Sequence, residues 1–203
     1  MIKRAFDIAL SIVGLLVLSP LFLIIALAIK STSKGPVFFR QNRVGRFGKE
    51  FRIHKFRTMF LDADKGGSLI TQSGDHRITN VGIFLRANKL DELPQLIDVL
   101  FGSMSVVGPR PEVPKYVDHY TAEQRRELLS VRPGMTDPAS IAFYDEAAEL
   151  KGASNIDDTY INRIMPAKLD LSLRYVRSRS MGGDIAIIAR TVMRLGASKR
   201  NRR

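Results

Sequence analysis

Between Ile8 and Ile29 the chain runs for 22 residues without a charge. As a straight helix that run is about 33 Å long, enough to cross a bilayer core of ~30 Å. A cleaved secretory signal would have a shorter apolar stretch and then a small-residue cleavage site, whereas this one ends in Lys30-Ser31-Thr32-Ser33-Lys34. A retained membrane segment is the expectation, with the core helix of a soluble protein as the competitor. Ser19-Pro20 lies near the middle, and Pro20 removes a backbone hydrogen bond and crowds the preceding turn, so the helix is expected to bend or break there. Lys3 and Arg4 precede the run, and Lys30, Lys34, Arg40 and Arg43 follow it, leaving no charge-poor end to place outside. Two ends on one side of the membrane mean a re-entrant helix. A kinked helix that simply spans satisfies the length equally well.

The whole chain, 203 residues of which 45% are hydrophobic, suffices for one domain. Without cysteine there is neither a disulfide framework nor a thiolate site. His54, His76 and His119 have no zinc-ligand spacing, so a metal here is expected to be a hard, oxygen-ligated ion such as Mg²⁺. The formal charge of +12 implies an anionic partner.

Against that positive background, two acids stand together in Leu90-Asp91-Glu92-Leu93-Pro94-Gln95-Leu96. Pro94 suits the first turn of a helix whose apolar face is Leu93, Leu96, Ile97 and Leu100 and which Gly102 ends. Asp91 and Glu92 then sit at a helix N-terminus, where the dipole favours ionised carboxylates and tolerates phosphate or metal. An isolated acidic pair at such a place is most often only a favourable first turn. Downstream, Pro109-Arg110-Pro111 restricts an arginine between two prolines. Arg110 is therefore a preorganised fork for phosphate oxygens or, equally well, for a structural salt bridge.

Val37-Phe38-Phe39 reads as a short strand, and Gly45-Arg46-Phe47-Gly48-Lys49 as a turn into Glu50 to Arg57, together a β-hairpin. Lys55 and Arg57 share one face of a strand and could bind phosphate jointly, or simply be solvated. Residues 62–75, rich in Asp, Gly and Ser, read as a loop. Helices are expected over Ala122 to Leu129, capped by Thr121, and over Asp184 to Leu195, capped by Asp184, with Ile185, Ile188, Ala189 and Val192 as the stripe. Arg132-Pro133-Gly134 is expected to be a turn. The tail Lys199-Arg200-Asn201-Arg202-Arg203 suits anionic lipid headgroups and equally nucleic acid.

Taken in order, Ser19-Pro20, Gln41-Asn42-Arg43-Val44-Gly45, Lys55-Phe56-Arg57-Thr58-Met59, Arg77-Ile78-Thr79 with Gly82, Leu85 and Arg86, the acidic dyad, Met104 to Pro111 and Arg132-Pro133-Gly134-Met135-Thr136 resemble the monotopic phosphoglycosyl transferases of the bacterial sugar transferase family, in their short catalytic-core form. The resemblance implies an α+β, mostly helical fold: a re-entrant membrane helix over residues 1–34, then a small cytoplasmic catalytic domain over 35–203 with a short hairpin and interfacial amphipathic helices. It implies transfer of a sugar-1-phosphate from a UDP-sugar to a polyprenol (undecaprenyl) phosphate with release of UMP, on the cytoplasmic face of a bacterial inner membrane. Asp91 would be the nucleophile that becomes phosphoglycosylated, Glu92 with Asp91 would hold Mg²⁺, and Arg110, Lys55, Arg57 and Arg86 would receive substrate phosphates. Lys89 and Asp98 depart from the family pattern, in which Ser or Thr and Asn are frequent, as do Ser103, Asp137 to Ser140 and Ser172. These departures bear on which sugar is accepted. Two rivals exist, a basic nucleic-acid-binding protein and a non-catalytic scaffold for glycan assembly. The first leaves the apolar run and the acidic cluster unexplained, so no nucleic-acid partner is expected. Oligomeric state is left open.

Overall fold

The computed structural model describes residues 1–61, 75–150, 152–153 and 155–200. The expected loop at 62–75 therefore lies outside the described residues except for Asp75, as do the end of the basic tail and the side chains of its first residues. Helix α1, Ile2–Thr32, is unbroken through Pro20. The expected break at Ser19-Pro20 is thus not a division into two helices. Pro20 cannot donate to the Leu16 carbonyl, and the Ser19 hydroxyl donates to it instead at 2.8 Å, so the orphaned acceptor is satisfied within the helix.

The hairpin forms as expected but longer, with β1 at Phe38–Val44 and β2 at Glu50–Phe56, antiparallel and paired from Phe38 with Phe56 to Val44 with Glu50. Next come α2, Asn80–Ala87, capped by the Thr79 hydroxyl, a 3-10 turn over Leu90–Glu92, and α3, Gln95–Phe101, closed by Gly102 at φ 89°. Of the expected face Leu93–Leu96–Ile97–Leu100 only Leu96 is buried and the others are half-buried, while Gln95, Asp98 and Val99 are buried as well. The helix is wedged between α1 and β2 and so buries two sides.

Two three-residue strands, β3 (Ser105–Val107) and β4 (Gly134–Thr136), pair in parallel at the centre. The expected turn over Arg132 to Gly134 is thus the entrance to a strand. Between them lie α4 (Pro114–Val117) and α5 (Ala122–Leu128), whose Thr121–Gln124 capping box bears out the expected start. After β4 follow α6 (Pro138–Ala142), α7 (Glu146–Glu149), α8 (Ile156–Thr159), a π-helical turn at Tyr160–Ile164, α9 (Met165–Ser178) and α10 (Met181–Arg200). α10 begins before Asp184, which is not its cap but a buried acceptor for Tyr175 and Lys3. Of the expected stripe, Ile185, Ala189 and Val192 are exposed and Ile188 is half-buried against the core, while Ile187, outside that stripe, is buried.

One apolar core joins β2, α3, β3 and the helices from α4 onward. A smaller one, Ile25, Ile29, Phe56 and Leu85, seats the C-terminal half of α1. The N-terminal end of α1 is fixed by polar contacts instead. Arg4 donates to the carbonyls of Val99 and Leu100 at 2.5 and 2.8 Å, and the buried Asp7 accepts from Ser105 Oγ at 2.8 Å and Val106 N at 3.1 Å. Both ends of the apolar helix are therefore fastened to the same domain. Between them Ile12, Val13, Leu16, Val17, Leu23, Ile24 and Leu27 stay exposed along the outer side.

Candidate active site

The acids owe their position to Lys89, which adopts a left-handed backbone (φ 54°) after α2 and throws the chain into the 3-10 turn. For a residue with a side chain that conformation costs roughly 1 kcal/mol or more, so the surrounding packing holds it. The dyad thus precedes a seven-residue helix by a tight turn rather than lying in its first turn. Neighbouring side chains, more than a dipole, set its electrostatics.

Arg110 is presented from the other side. A Cβ on Gly134 would meet the Gly108 amide nitrogen at 2.1 Å, so only glycine permits the two backbones to approach this closely. Gly108 N donates to Thr136 O at 3.0 Å and Gly134 N to Pro109 O at 2.9 Å, locking the start of Pro109-Arg110-Pro111 to the central strands. The guanidinium forks onto Glu92, with Nη1 to Oε2 at 3.0 Å and Nη2 to Oε1. Lys55 Nζ, from β2, donates to Glu92 Oε1 at 2.8 Å. The strand carrying Lys55 is pinned to α3 by Asp98, which accepts from His54 N at 2.8 Å and pairs with His54 Nδ1 at 2.7 Å.

The two acids consequently differ. Burial pushes Glu92 up, but Arg110 and Lys55 outweigh it and hold the carboxyl well below the usual range. Glu92 in turn raises Arg110, while burial lowers Lys55. Asp91 has burial against it, and then the charge of Glu92, and both raise it above the usual range despite Lys55, Arg86 and Lys89 nearby. Its Oδ1 is buried with no hydrogen-bond partner among the described residues. The expectation that a helix dipole holds Asp91 ionised is thereby corrected: its surroundings disfavour the charge and leave one oxygen uncommitted.

Of the other expected phosphate ligands, Arg86 stands near the dyad, its Nε donating to Thr58 Oγ1 at 2.8 Å, and burial lowers it. Arg57 is not brought in. β2 ends at Phe56, and Arg57 turns to α1, donating to Lys34 O at 2.5 Å and to Ser33 O and Oγ at 2.9 and 2.8 Å. Sequence reasoning missed the charged cluster behind Arg110. There Tyr160 OH donates to Glu112 Oε1 at 2.6 Å, Lys168 Nζ donates to Glu146 Oε2 at 2.7 Å, and Arg43 faces Glu112 at 3.8 Å. Glu112 is held low because Lys168 and Arg43 overcome its burial. Its signal was modest: Glu112 follows the Pro-Arg-Pro run, and its partners lie far along the chain.

Among the described residues no three acids or histidines form a cation cage. Mg²⁺ commonly uses one or two carboxylates and completes its shell with water and substrate phosphates. An uncommitted buried oxygen of Asp91 beside Glu92 fits that pattern.

A family model for bacterial sugar transferases matches residues 1–198. The chain belongs to that family. The chain is 40% identical over 197 residues, 96% of its length, to the UDP-glucose:undecaprenyl-phosphate glucose-1-phosphate transferase of Escherichia coli (strain K12), of which it spans 40%. It is 37% identical over 193 residues, 94% of its length, to the UDP-N-acetylgalactosamine-undecaprenyl-phosphate N-acetylgalactosaminephosphotransferase of Aeromonas hydrophila, spanning 43% of it. The exopolysaccharide production protein PSS of Rhizobium leguminosarum bv. phaseoli is matched almost end to end, 39% identical over 207 residues that cover 95% of the chain and 94% of the relative. The chain thus spans about two fifths of the first two relatives and nearly all of the third.

Proposed function

We propose that this chain moves a sugar-1-phosphate from a UDP-sugar to a polyprenol phosphate and releases UMP, as the activities named for its relatives suggest. The observation that carries the reading is the unequal dyad: Glu92 is saturated by Arg110 and Lys55, while Asp91 beside it keeps a buried oxygen without a partner. An uncommitted carboxylate oxygen next to fixed cations can act as a nucleophile on an anionic diphosphate.

In the first step an Asp91 oxygen bonds to the sugar-bearing phosphorus, and the bond from that phosphorus to UMP breaks, UMP leaving with the electron pair. In the second, an oxygen of the polyprenol phosphate attacks the same phosphorus and frees Asp91. Arg110 and Lys55, and Arg86 at longer range, offset charge on the diphosphate. Asp91, with Glu92 where it yields a contact to Arg110, would hold Mg²⁺, which when bound supplies further neutralisation of the phosphate oxygens. The two fastened ends of α1 support a monotopic placement, with both ends on the domain's side and the exposed aliphatic side in lipid. That side is taken to be the cytoplasmic face of a bacterial inner membrane.

Incubation with single UDP-sugars and Mg²⁺, without acceptor, followed by intact-mass measurement, tests the reading. A mass increase equal to one phosphosugar, absent from Asp91→Asn, is expected. UMP release only in the presence of polyprenol phosphate, with no adduct, would replace the two-step reading by direct transfer.

A further inference from the structure

The cations so far assigned to chemistry are committed to Glu92 or to nearby oxygens. Two others are not. Lys89 Nζ lies 5.1 Å from the ring centroid of Tyr144, and the Arg194 guanidinium carbon lies 5.4 Å from the same centroid. The three residues come from separate segments: the left-handed turn before the dyad, the stretch after α6, and the C-terminal half of α10. Lys89 and Arg194 are both exposed, and neither side chain makes an ion pair or hydrogen bond among the described residues. An aromatic face attracts cations but does not neutralise them, so it gathers positive charge without consuming it.

This cluster meets two environments. On one side, Lys89 is two residues from Asp91, and its charge is felt by both acids of the dyad. On the other, α10, the helix that carries Arg194, exposes Ile185, Val192 and Met193 from its remaining sides, apolar side chains that suit lipid rather than water. A ligand lying across both has an apolar body and a phosphate end.

We propose that Lys89 and Arg194, seated on Tyr144, form the subsite that receives the phosphate of the lipid-borne acceptor. The proposal rests on the transferase reading above, and it separates the two substrates. The donor's diphosphate meets Arg110 and Lys55 at the dyad. The acceptor's phosphate is held at the rim, one short step from the phosphorus it attacks. Lys89 aligns the incoming monoester and lowers the repulsion between it and the charged dyad. Tyr144 fixes both cations at little entropic cost, since an aromatic side chain has few rotamers to lose.

The test uses the full chain in detergent and farnesyl phosphate as the probe, with binding followed by calorimetry. Lys89→Gln and Arg194→Gln are each expected to weaken farnesyl phosphate binding by roughly 10-fold, the loss of one charge-assisted contact. Tyr144→Leu should weaken it as well, and Tyr144→Phe should restore it. Uncharged farnesol and UMP should bind all variants as they bind the wild type. Farnesyl phosphate affinity that is undetectable in the wild type, or unchanged in both charge variants, overturns the subsite. A selective loss of UMP affinity moves it to the donor and overturns it equally. In turnover assays, Arg194→Gln should raise KM for polyprenol phosphate while adduct formation with UDP-sugar alone stays at the wild-type rate. If farnesyl phosphate binding follows the expected pattern but no UDP-sugar is consumed, the reaction reading fails and the lipid phosphate subsite stands.

Discussion

Asp91 and Glu92 are neighbours in sequence, yet Arg110 and Lys55 neutralise one and leave the other to its burial. The folded state therefore binds a proton on Asp91 more readily than the unfolded chain does. Its ionised form lowers stability at neutral pH, an effect that vanishes as pH falls below both values. Asp91→Asn is accordingly expected to abolish turnover while melting no lower than wild type, and by about 1 kcal/mol or ~2–4 °C higher, readable in a thermal scan. The nucleophile must be ionised, so donor-only UMP release should fail on the acid side at a pH above the ordinary carboxylate range. Glu92→Gln removes a like charge and should move that acid limb to lower pH, whatever it does to the rate. Arg110→Lys retains the charge but loses the fork that grips Glu92 through two nitrogens. A loss of about 1.5–3 kcal/mol, roughly 10- to 150-fold in kcat/KM for the UDP-sugar, is expected. An unchanged kcat/KM would return Arg110 to a purely structural bridge with Glu92.

At the scale of elements, what the sequence exposed was what local chemistry writes. Pro94, Gly102 and the Thr121 capping box mark ends through their own backbone demands, and the hairpin shows itself by the glycines of its turn. The β3–β4 pair was hidden because three residues per strand carry no alternation to read, and because the two strands lie far apart in the chain. The α10 stripe shows a different limit: apolar periodicity marks a face that avoids water, and lipid satisfies it as well as a core does, so the period alone does not say which one receives it. Arg57 shows the limit of parity arguments. Alternation with Lys55 holds only while the strand lasts, and β2 stops one residue earlier. Arg57 instead closes the C-terminal end of α1 through Ser33 and Lys34. Arg57→Met should therefore lower stability by about 1.5–3 kcal/mol and loosen α1, seen as faster proteolysis after residue 34. KM for the UDP-sugar should stay near the wild-type value, because the guanidinium touches α1 and not the dyad.

For the whole molecule, the decisive contacts are those farthest apart in sequence. Lys3 pairs with Asp184 at 2.5 Å, Asp7 is buried against Ser105 and Val106, and Arg57 holds the opposite end of the same helix. A helix of 31 residues is about 46 Å long, more than a bilayer core is thick, so a straight crossing would carry one end to the far side. The domain that grips both ends is charged and cannot follow it through the hydrocarbon. The Ser19–Leu16 hydrogen bond removes the cost of Pro20 inside lipid, which lets the outer aliphatic side be immersed without an orphaned carbonyl. Single cysteines placed at Ile2 and at Lys34, in a chain that has none of its own, give a direct readout in sealed inverted vesicles. Both should react with a membrane-impermeant maleimide from the same side. Labelling from opposite sides would mean that α1 spans and that the contacts of one end with the domain do not survive in the membrane. Asp7→Ala, which strips Ser105 and Val106 of their buried acceptor, should then distinguish the two arrangements further: it destabilises a monotopic chain by about 1–3 kcal/mol and leaves a spanning one unchanged.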